Sequence, residues 1–334
     1  MKIVRYILFP IVPIYFLVTW LRNKFYDWGI FKSSEYKIPT ICVGNLSVGG
    51  TGKSPMVEYL ICLLQSNYQL ATLSRGYKRA TEGFVIADDT ATALSIGDEP
   101  FQFYGKFEDV IVSVDADRRN GISRLLELKN SPDVILLDDA FQHREVKAKF
   151  NILLTTYDDL YVNDILLPTG NLREPKSGVQ RADIIVVTKC PEYISENEKN
   201  RIIKLIKPQS YQNVFFSWIA YSEVIKNSLG EKPLSFLADK NVTLVTGIAN
   251  PKPFVLYLKE KHLNFEHLNF NDHHEFKSNE IENLKTKKFI LTTEKDFMRL
   301  SKHFEGHEAI YYLPIELKID KPNVFNELVK NTVK

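Results

Sequence analysis

The chain has 334 residues, 44% of them hydrophobic, and balances 43 lysines and arginines against 41 aspartates and glutamates for a formal net charge of +2. That length allows two lobes, each with its own core, and so even a charge balance gives no electrostatic case for nucleic-acid binding. Cys42, Cys62 and Cys190 are scattered, odd in number and without metal-ligand spacing, which suits a reducing compartment. There is no internal repeat and no low-complexity tract.

Residues 6–21 carry no charge and are flanked by Lys2 and Arg5 on one side and by Arg22 and Lys24 on the other. A membrane span needs about 20 apolar residues. This run is shorter, contains Pro10 and Pro13, and lacks the small-residue cleavage site of a signal peptide. Tyr15, Trp20, Tyr26 and Trp28 are amphipathic aromatics of the kind that favour the headgroup layer. Residues 1–30 are therefore expected to lie on the membrane as an interfacial anchor, in preference to a buried core helix or a true span.

An apolar strand follows and runs into Gly44-Asn-Leu-Ser-Val-Gly-Gly-Thr-Gly-Lys-Ser-Pro55. Glycines at 49, 50 and 52 let the backbone wrap so that successive N–H groups point inward with Thr51, and the next helix adds its positive amino end. Lys53 would reach the β- and γ-phosphates of a nucleotide, and Ser54 would ligate Mg²⁺. The generic motif wants glycine where this chain has Ser47. Val57, Leu60, Ile61 and Leu64 nevertheless follow at helical spacing, giving strand, loop and helix in the required order.

Residues 132–139 read as a strand apolar on both faces that ends in Asp138 and Asp139, the way a nucleotide-binding sheet delivers an acid to Mg²⁺ beside a phosphate loop. Further strands are predicted near 38–44, 69–73, 110–114, 150–155 and 183–189, with helical patterns between several of them. That alternation predicts an α/β fold, a doubly wound and mostly parallel sheet with ligand loops at the strand carboxyl ends. A second, smaller α/β lobe is expected to begin at residues 242–247, with a helix near 254–258 and a strand at 288–293. The expected division is an interface segment 1–30, a nucleotide-binding lobe 31–222, a connector 223–240 and the smaller lobe 241–334.

Two comparisons narrow the class. A guanine-specific protein would carry Asn-Lys-x-Asp late in the sheet, whereas residues 188–191 are Thr-Lys-Cys-Pro. Dimeric partitioning ATPases carry a lysine directly before the paired glycines, and here that position is Val48.

The loop at 44–55 resembles that of the tetraacyldisaccharide 4'-kinases of lipid A synthesis. So do Leu73-Ser-Arg-Gly-Tyr77, Gly97-Asp-Glu-Pro100, Asp138-Asp-Ala-Phe-Gln-His143, Leu167-Pro-Thr-Gly-Asn-Leu-Arg-Glu-Pro175 and Asp272-His273. The resemblance implies a phosphate-loop lobe joined to a smaller carboxyl-terminal lobe. It also implies transfer of the ATP γ-phosphate, with Mg²⁺, to the 4'-hydroxyl of an acylated glucosamine disaccharide 1-phosphate at the cytoplasmic face of the inner membrane. No protein partner is implied. A phosphate-loop ATPase or kinase acting on a soluble partner is the alternative.

Carried onto this sequence, the resemblance makes Asp98 the base for the attacking hydroxyl and His273 the histidine that pairs with it. Lys53 is the catalytic lysine, and Ser54, Asp138 and Asp139 are the metal ligands. Arg75, His143, Asn171, Arg173 and Glu174 fall in blocks expected to hold substrate, and guanidinium forks suit phosphate oxygens. Arg118 and Arg119 are further candidates of that kind. Asp98 could instead cap a helix, since Glu99 and Pro100 suit a first turn. His273 and His274 could be packing histidines or, less in keeping with their spacing, metal ligands. Ala140 departs from the family's glycine and would be strained if that position needs positive φ, but the turn is expected to tolerate its methyl group.

Overall fold

Short runs of aliphatic and β-branched residues, each bounded by turn formers, make the strands of the first unit. A computed structural model describes residues 5–272, 274–304 and 309–334. It divides the chain into two units, one holding residues up to Ile219 together with Leu317–Lys334 and the other Ala220–Glu316.

The strands of the first unit, numbered in chain order, are β1 (Thr40–Asn45), β2 (Leu70–Ser74), β3 (Val85–Ile86), β4 (Val110–Val114), β5 (Val134–Asp138), β6 (Phe150–Thr156), β7 (Ile184–Thr188) and β8 (Asn213–Tyr221). With β15 (Ile315–Ile319), numbered after the strands of the second unit, they form one sheet in the order β15-β8-β7-β6-β1-β5-β2-β4-β3. From β4 across to β8 the pairings are parallel, while at the two edges β3 runs antiparallel to β4, and β15 to β8, where Asp320 N donates to Phe216 O and Ser222 N to Pro314 O. The loops after β1, β2, β4, β5, β6 and β7 therefore leave from one edge of the sheet. All six strands predicted for this lobe are present.

The unit's helices are α1 (Val12–Asp27), α2 (Lys53–Leu64), α3 (Ala93–Ile96), α4 (Asp98–Lys106), α5 (Arg118–Leu126) and α6 (Glu196–Ile206), with α10 (Pro322–Val333) returning at the carboxyl end. Side chains alternate across β1. Ile41 and Val43 join a core with Val57, Leu60 and Leu64 of α2 and with Phe325 and Val329 of α10, while Cys42 faces Ile122 and Leu125 of α5 and Ile202 of α6. Covered on both faces, β1, β5 and β7 are buried from end to end, which is why they read as unbroken apolar runs.

The second unit contains β9 (Val224–Asn227), β10 (Gly230–Pro233), β11 (Val242–Thr246), α7 (Lys252–Glu260), β12 (Phe265–Asn269), α8 (Ser278–Lys285), β13 (Phe289–Thr293), α9 (Glu294–Leu300) and β14 (Ile310–Leu313). Its sheet runs β10-β9-β14-β13-β11-β12, parallel from β14 to β12. Two boundaries differ from the expected division. The polar stretch 223–240 is a hairpin of this unit, and Leu317–Lys334 belongs to the first, because β15 lies beside β8 and Phe325, Val329 and Val333 bury against β1 and α2.

No helix among the described residues is long and apolar enough to cross a membrane. Of the sixteen residues of α1 none is buried. Ile14, Leu17 and Val18 are 65%, 52% and 60% exposed.

Candidate active site

β1 sits between β5 and β6, so the glycine-rich loop leaves the middle of the parallel edge, where open α/β sheets bind ligands. Gly44 admits no side chain, since a methyl there would stand 2.6 Å from Cβ of Phe141. Gly52 caps α2 at φ 87, a left-handed conformation that side chains resist, and Lys53 and Ser54 open the helix behind it. Ser47, the departure from the motif, bridges to Leu172. On either side Val48 N donates to Asn171 O (2.8 Å) and Arg173 N to Leu46 O (2.7 Å), so residues 171–173 are stitched to the loop.

The two acids at the end of β5 have different surroundings. Asp138 is 7% exposed; Ser74 Oγ donates to its Oδ2 (3.3 Å), and its Oδ1 is buried with no hydrogen-bond partner. Burial, and then the charge of Asp139, push its carboxyl up to about 6. Asp139 is half-exposed, with Arg173 Nη1 donating to both of its oxygens (3.0 and 3.1 Å) and Lys53 Nζ 3.7 Å away. Ala140 is not at positive φ, so the turn tolerates its methyl group as expected. The residue at positive φ is Asp139 (φ 47), and Ala140 packs into the core. Thr51 Oγ1 is a second buried oxygen without a partner, inside the loop.

Arg75 follows β2 and is exposed. Its turn packs closely on Gly97, where a methyl would stand 3.3 Å from Tyr77 O and 3.4 Å from Gly76 Cα. Gly97 is the cap of α4, and Asp98 is the first residue inside the helix with Glu99 beside it, so the cap position is not the aspartate's. Acids in a first turn are favoured by the helix dipole. α4 is pinned to α2 because Gln102 Nε2 donates to Glu58 Oε1 and Lys106 Nζ to Glu58 Oε2, both at 2.7 Å. The charge of Glu99 also acts on Asp138. Arg118, 2% exposed, lies beneath the acids and donates to Asp115 O (2.8 Å) and Asp138 O (3.3 Å). Arg119 faces solvent between Asp117 and Glu145.

The segment 168–175 rests on α1. Glu174 is 3% exposed and accepts from Gln142 Nε2 (2.9 Å), Arg181 Nη2 (2.8 Å) and Asn23 Nδ2 (2.7 Å), and it supports Arg173 through Gln142, whose Oε1 accepts from Arg173 Nη1 (3.4 Å). Tyr15 Oη donates to Arg173 O (2.9 Å), and Arg5 donates to Pro168 O (3.0 Å), to Asn171 Oδ1 (3.0 Å) and to Gly170 O. Arg22 and Arg144 tie α1 to residues 142–144. His143 keeps a buried Nε2 without a hydrogen bond, and burial, then the charge of Arg118, hold its imidazole below the usual range. The sequence points Tyr15 to the headgroup layer and not to Arg173, and it does not single out Asn23 or Gln142. Gln142 lies inside the Asp138–His143 motif, whereas Asn23 carries no local signal.

In the second unit Asp272 follows β12, and His273 lies outside the described residues. His274 is a packing histidine, stacked on Phe270 at 4.6 Å with Nε2 2.9 Å from Glu280. It forms no part of a metal cluster among the described residues.

A family model described as tetraacyldisaccharide-1-P 4'-kinase matches residues 4–334. The chain is 51% identical over 319 residues to the tetraacyldisaccharide 4'-kinase of Flavobacterium johnsoniae, covering 95% of this chain and 93% of that one. It is 48% identical to its counterpart from Flavobacterium psychrophilum, covering 100% and 98%. Among solved structures, LpxK from Aquifex aeolicus, crystallised in complex with ATP, superposes with a TM-score of 0.80 at 30% identity over 99% of this chain and 100% of that one. By motif, by whole-length similarity and by fold, the chain belongs to the tetraacyldisaccharide 4'-kinase family.

Proposed function

We infer that the chain transfers the γ-phosphate of ATP to the 4'-hydroxyl of tetraacyldisaccharide 1-phosphate in lipid A synthesis. The observation that carries this reading is the convergence of Lys53, Asp139 and Arg173 on a phosphate loop whose neighbour Asp138 keeps an unpartnered, buried Oδ1. Oxygen donors of this kind fit a hard divalent cation, and Ser54, Asp138 and Asp139 would hold Mg²⁺, with Asp138 offering the unpartnered atom. When bound, the ion neutralises charge on the β- and γ-phosphate oxygens.

The residues divide the remaining work. The glycine-rich backbone from Gly49 to Gly52, with Thr51, cradles the phosphates, and Lys53 neutralises charge on the transferred group. Asp98 accepts the proton as the 4'-oxygen attacks phosphorus and ADP leaves. His273 enters this proposal through the family resemblance alone, and a double-mutant cycle with Asp98 tests it. Arg75, His143, Asn171 and Arg173 line the acceptor side, with Glu174 holding Arg173 in place.

α1 supplies the membrane contact. An apolar face left in water, with basic residues at both ends, suits the cytoplasmic surface of the inner membrane, where a lipid with four acyl chains stays. The test is mass spectrometry of tetraacyldisaccharide 1-phosphate incubated with the protein, ATP and Mg²⁺ in mild detergent. A gain of one phosphate, absent with Lys53→Ala, supports the reading, and no gain while ATP is bound and hydrolysed would redirect it to a soluble acceptor.

A further inference from the structure

The carboxyl end of β7 holds two residues that the transfer reaction as described leaves idle. Thr188, 1% exposed, donates its hydroxyl to the carbonyl of Thr51 at 2.8 Å, so the strand end grips the phosphate loop directly. The chain then turns through Lys189 in a left-handed conformation, φ 56, which non-glycine residues adopt only where the surroundings enforce it. Those surroundings are hydrogen bonds from Tyr157 N to Thr188 O (2.9 Å) and from Cys190 N to Ser217 O (3.0 Å).

The turn sends the lysine back toward the loop, where a methyl placed on Gly50 would stand 4.0 Å from Lys189 Nζ. Among the described residues this ammonium makes no hydrogen bond and no ion pair. Partial desolvation first, and the charge of Lys53 after it, hold it below the ordinary lysine range against the pull of Asp158 and Asp159. Two ammonium groups thus flank one glycine-rich loop. Lys53 opens α2 beside Asp139, and Lys189 stands on the Gly50 flank without a counter-charge bonded to it among the described residues.

We propose that Lys189 is a nucleotide-binding residue, gripping the bound nucleotide from the Gly50 side of the loop while Lys53 serves the transferred phosphate. The inference rests on the ATP reading above. It differs from the role of Lys53 in its consequence, because a contact on this flank is made equally to substrate and product nucleotide and leaves the chemical step alone.

Calorimetric titration of Mg²⁺-ADP and Mg²⁺-ATP into wild type, Lys189→Ala and Lys189→Arg, beside steady-state kinetics, tests it. Loss of one charge-assisted contact predicts that Lys189→Ala binds both nucleotides about tenfold more weakly, with KM for ATP raised to match. It also predicts kcat within about twofold of wild type and recovery of most of the affinity in Lys189→Arg. Unchanged affinity for both nucleotides, or a loss confined to kcat, would overturn the assignment. Wild type that binds neither nucleotide would overturn the ATP reading itself, which the variants cannot do.

Discussion

β1 and α1 are both rich in aliphatic residues, yet all six residues of β1 are buried and none of the sixteen of α1 is. In β1 the apolar atoms stiffen the sheet under a polar loop, to which the proposed function assigns the phosphates. In α1 the polar atoms face inward, where Tyr15 and Asn23 hold Arg173 and Glu174, and the apolar atoms face out. Burying one such side chain is worth roughly 1.5–3 kcal/mol. The exposed face of α1 therefore forgoes several such terms, which a bilayer would supply. In the proposed function one region serves the chemistry and the other the membrane, so changes in each should be separable.

The largest expected effect is on proton transfer. Asp98→Ala should lower kcat by about 10²–10⁴-fold while leaving ATP affinity and vesicle binding close to wild type. Loss of ATP binding in place of kcat would return Asp98 to a structural role in the first turn of α4. Lys53→Ala should cut turnover by roughly 10²–10³-fold, again without releasing the protein from membranes. Near-normal turnover would remove the phosphate loop from the mechanism.

On the other side of the comparison, Leu17→Glu puts a charge on the exposed face of α1 without touching a buried contact. It should weaken sedimentation with anionic vesicles by about tenfold or more, with an unchanged melting temperature. Equal sedimentation would deny the helix its membrane role.

The smallest effect concerns stability. Burial raises the carboxyl of Asp138 to about 6, so the folded protein holds a proton that the unfolded chain has already lost. Stability from this group is present below the ordinary carboxylate range and is lost as pH rises toward 6, which leaves the charged form a burden at pH 7. Asp138→Asn should therefore abolish transfer yet stabilise the ligand-free protein at pH 7 by on the order of 1 kcal/mol. That gain should vanish at low pH; a lower melting temperature at pH 7 would contradict it.

Much of the first unit was legible because its signals are local. Unbroken apolar runs gave the parallel strands, and the glycines with Lys53 and Ser54 located the cradle. What was missed is non-local. Nothing in residues 315–319 says that this strand pairs beside β8, and nothing in Phe325 or Val329 names the core they enter. Glu174 reads as a loop acid suited to substrate until Gln142, Arg181 and Asn23 are seen to surround it. A buried acid and a surface acid are spelled alike. Nor does any local signal mark Asp139 as the left-handed residue after β5.

The most direct measurement follows phosphate transfer to tetraacyldisaccharide 1-phosphate in vesicles and in detergent micelles by wild type, Lys53→Ala and Leu17→Glu. The account predicts that Lys53→Ala is slowed roughly 10²–10³-fold in both. Leu17→Glu should lose activity on vesicles and regain it as vesicle concentration rises. Transfer to the lipid by Lys53→Ala at close to the wild-type rate, or Leu17→Glu matching wild type on dilute vesicles, would contradict it.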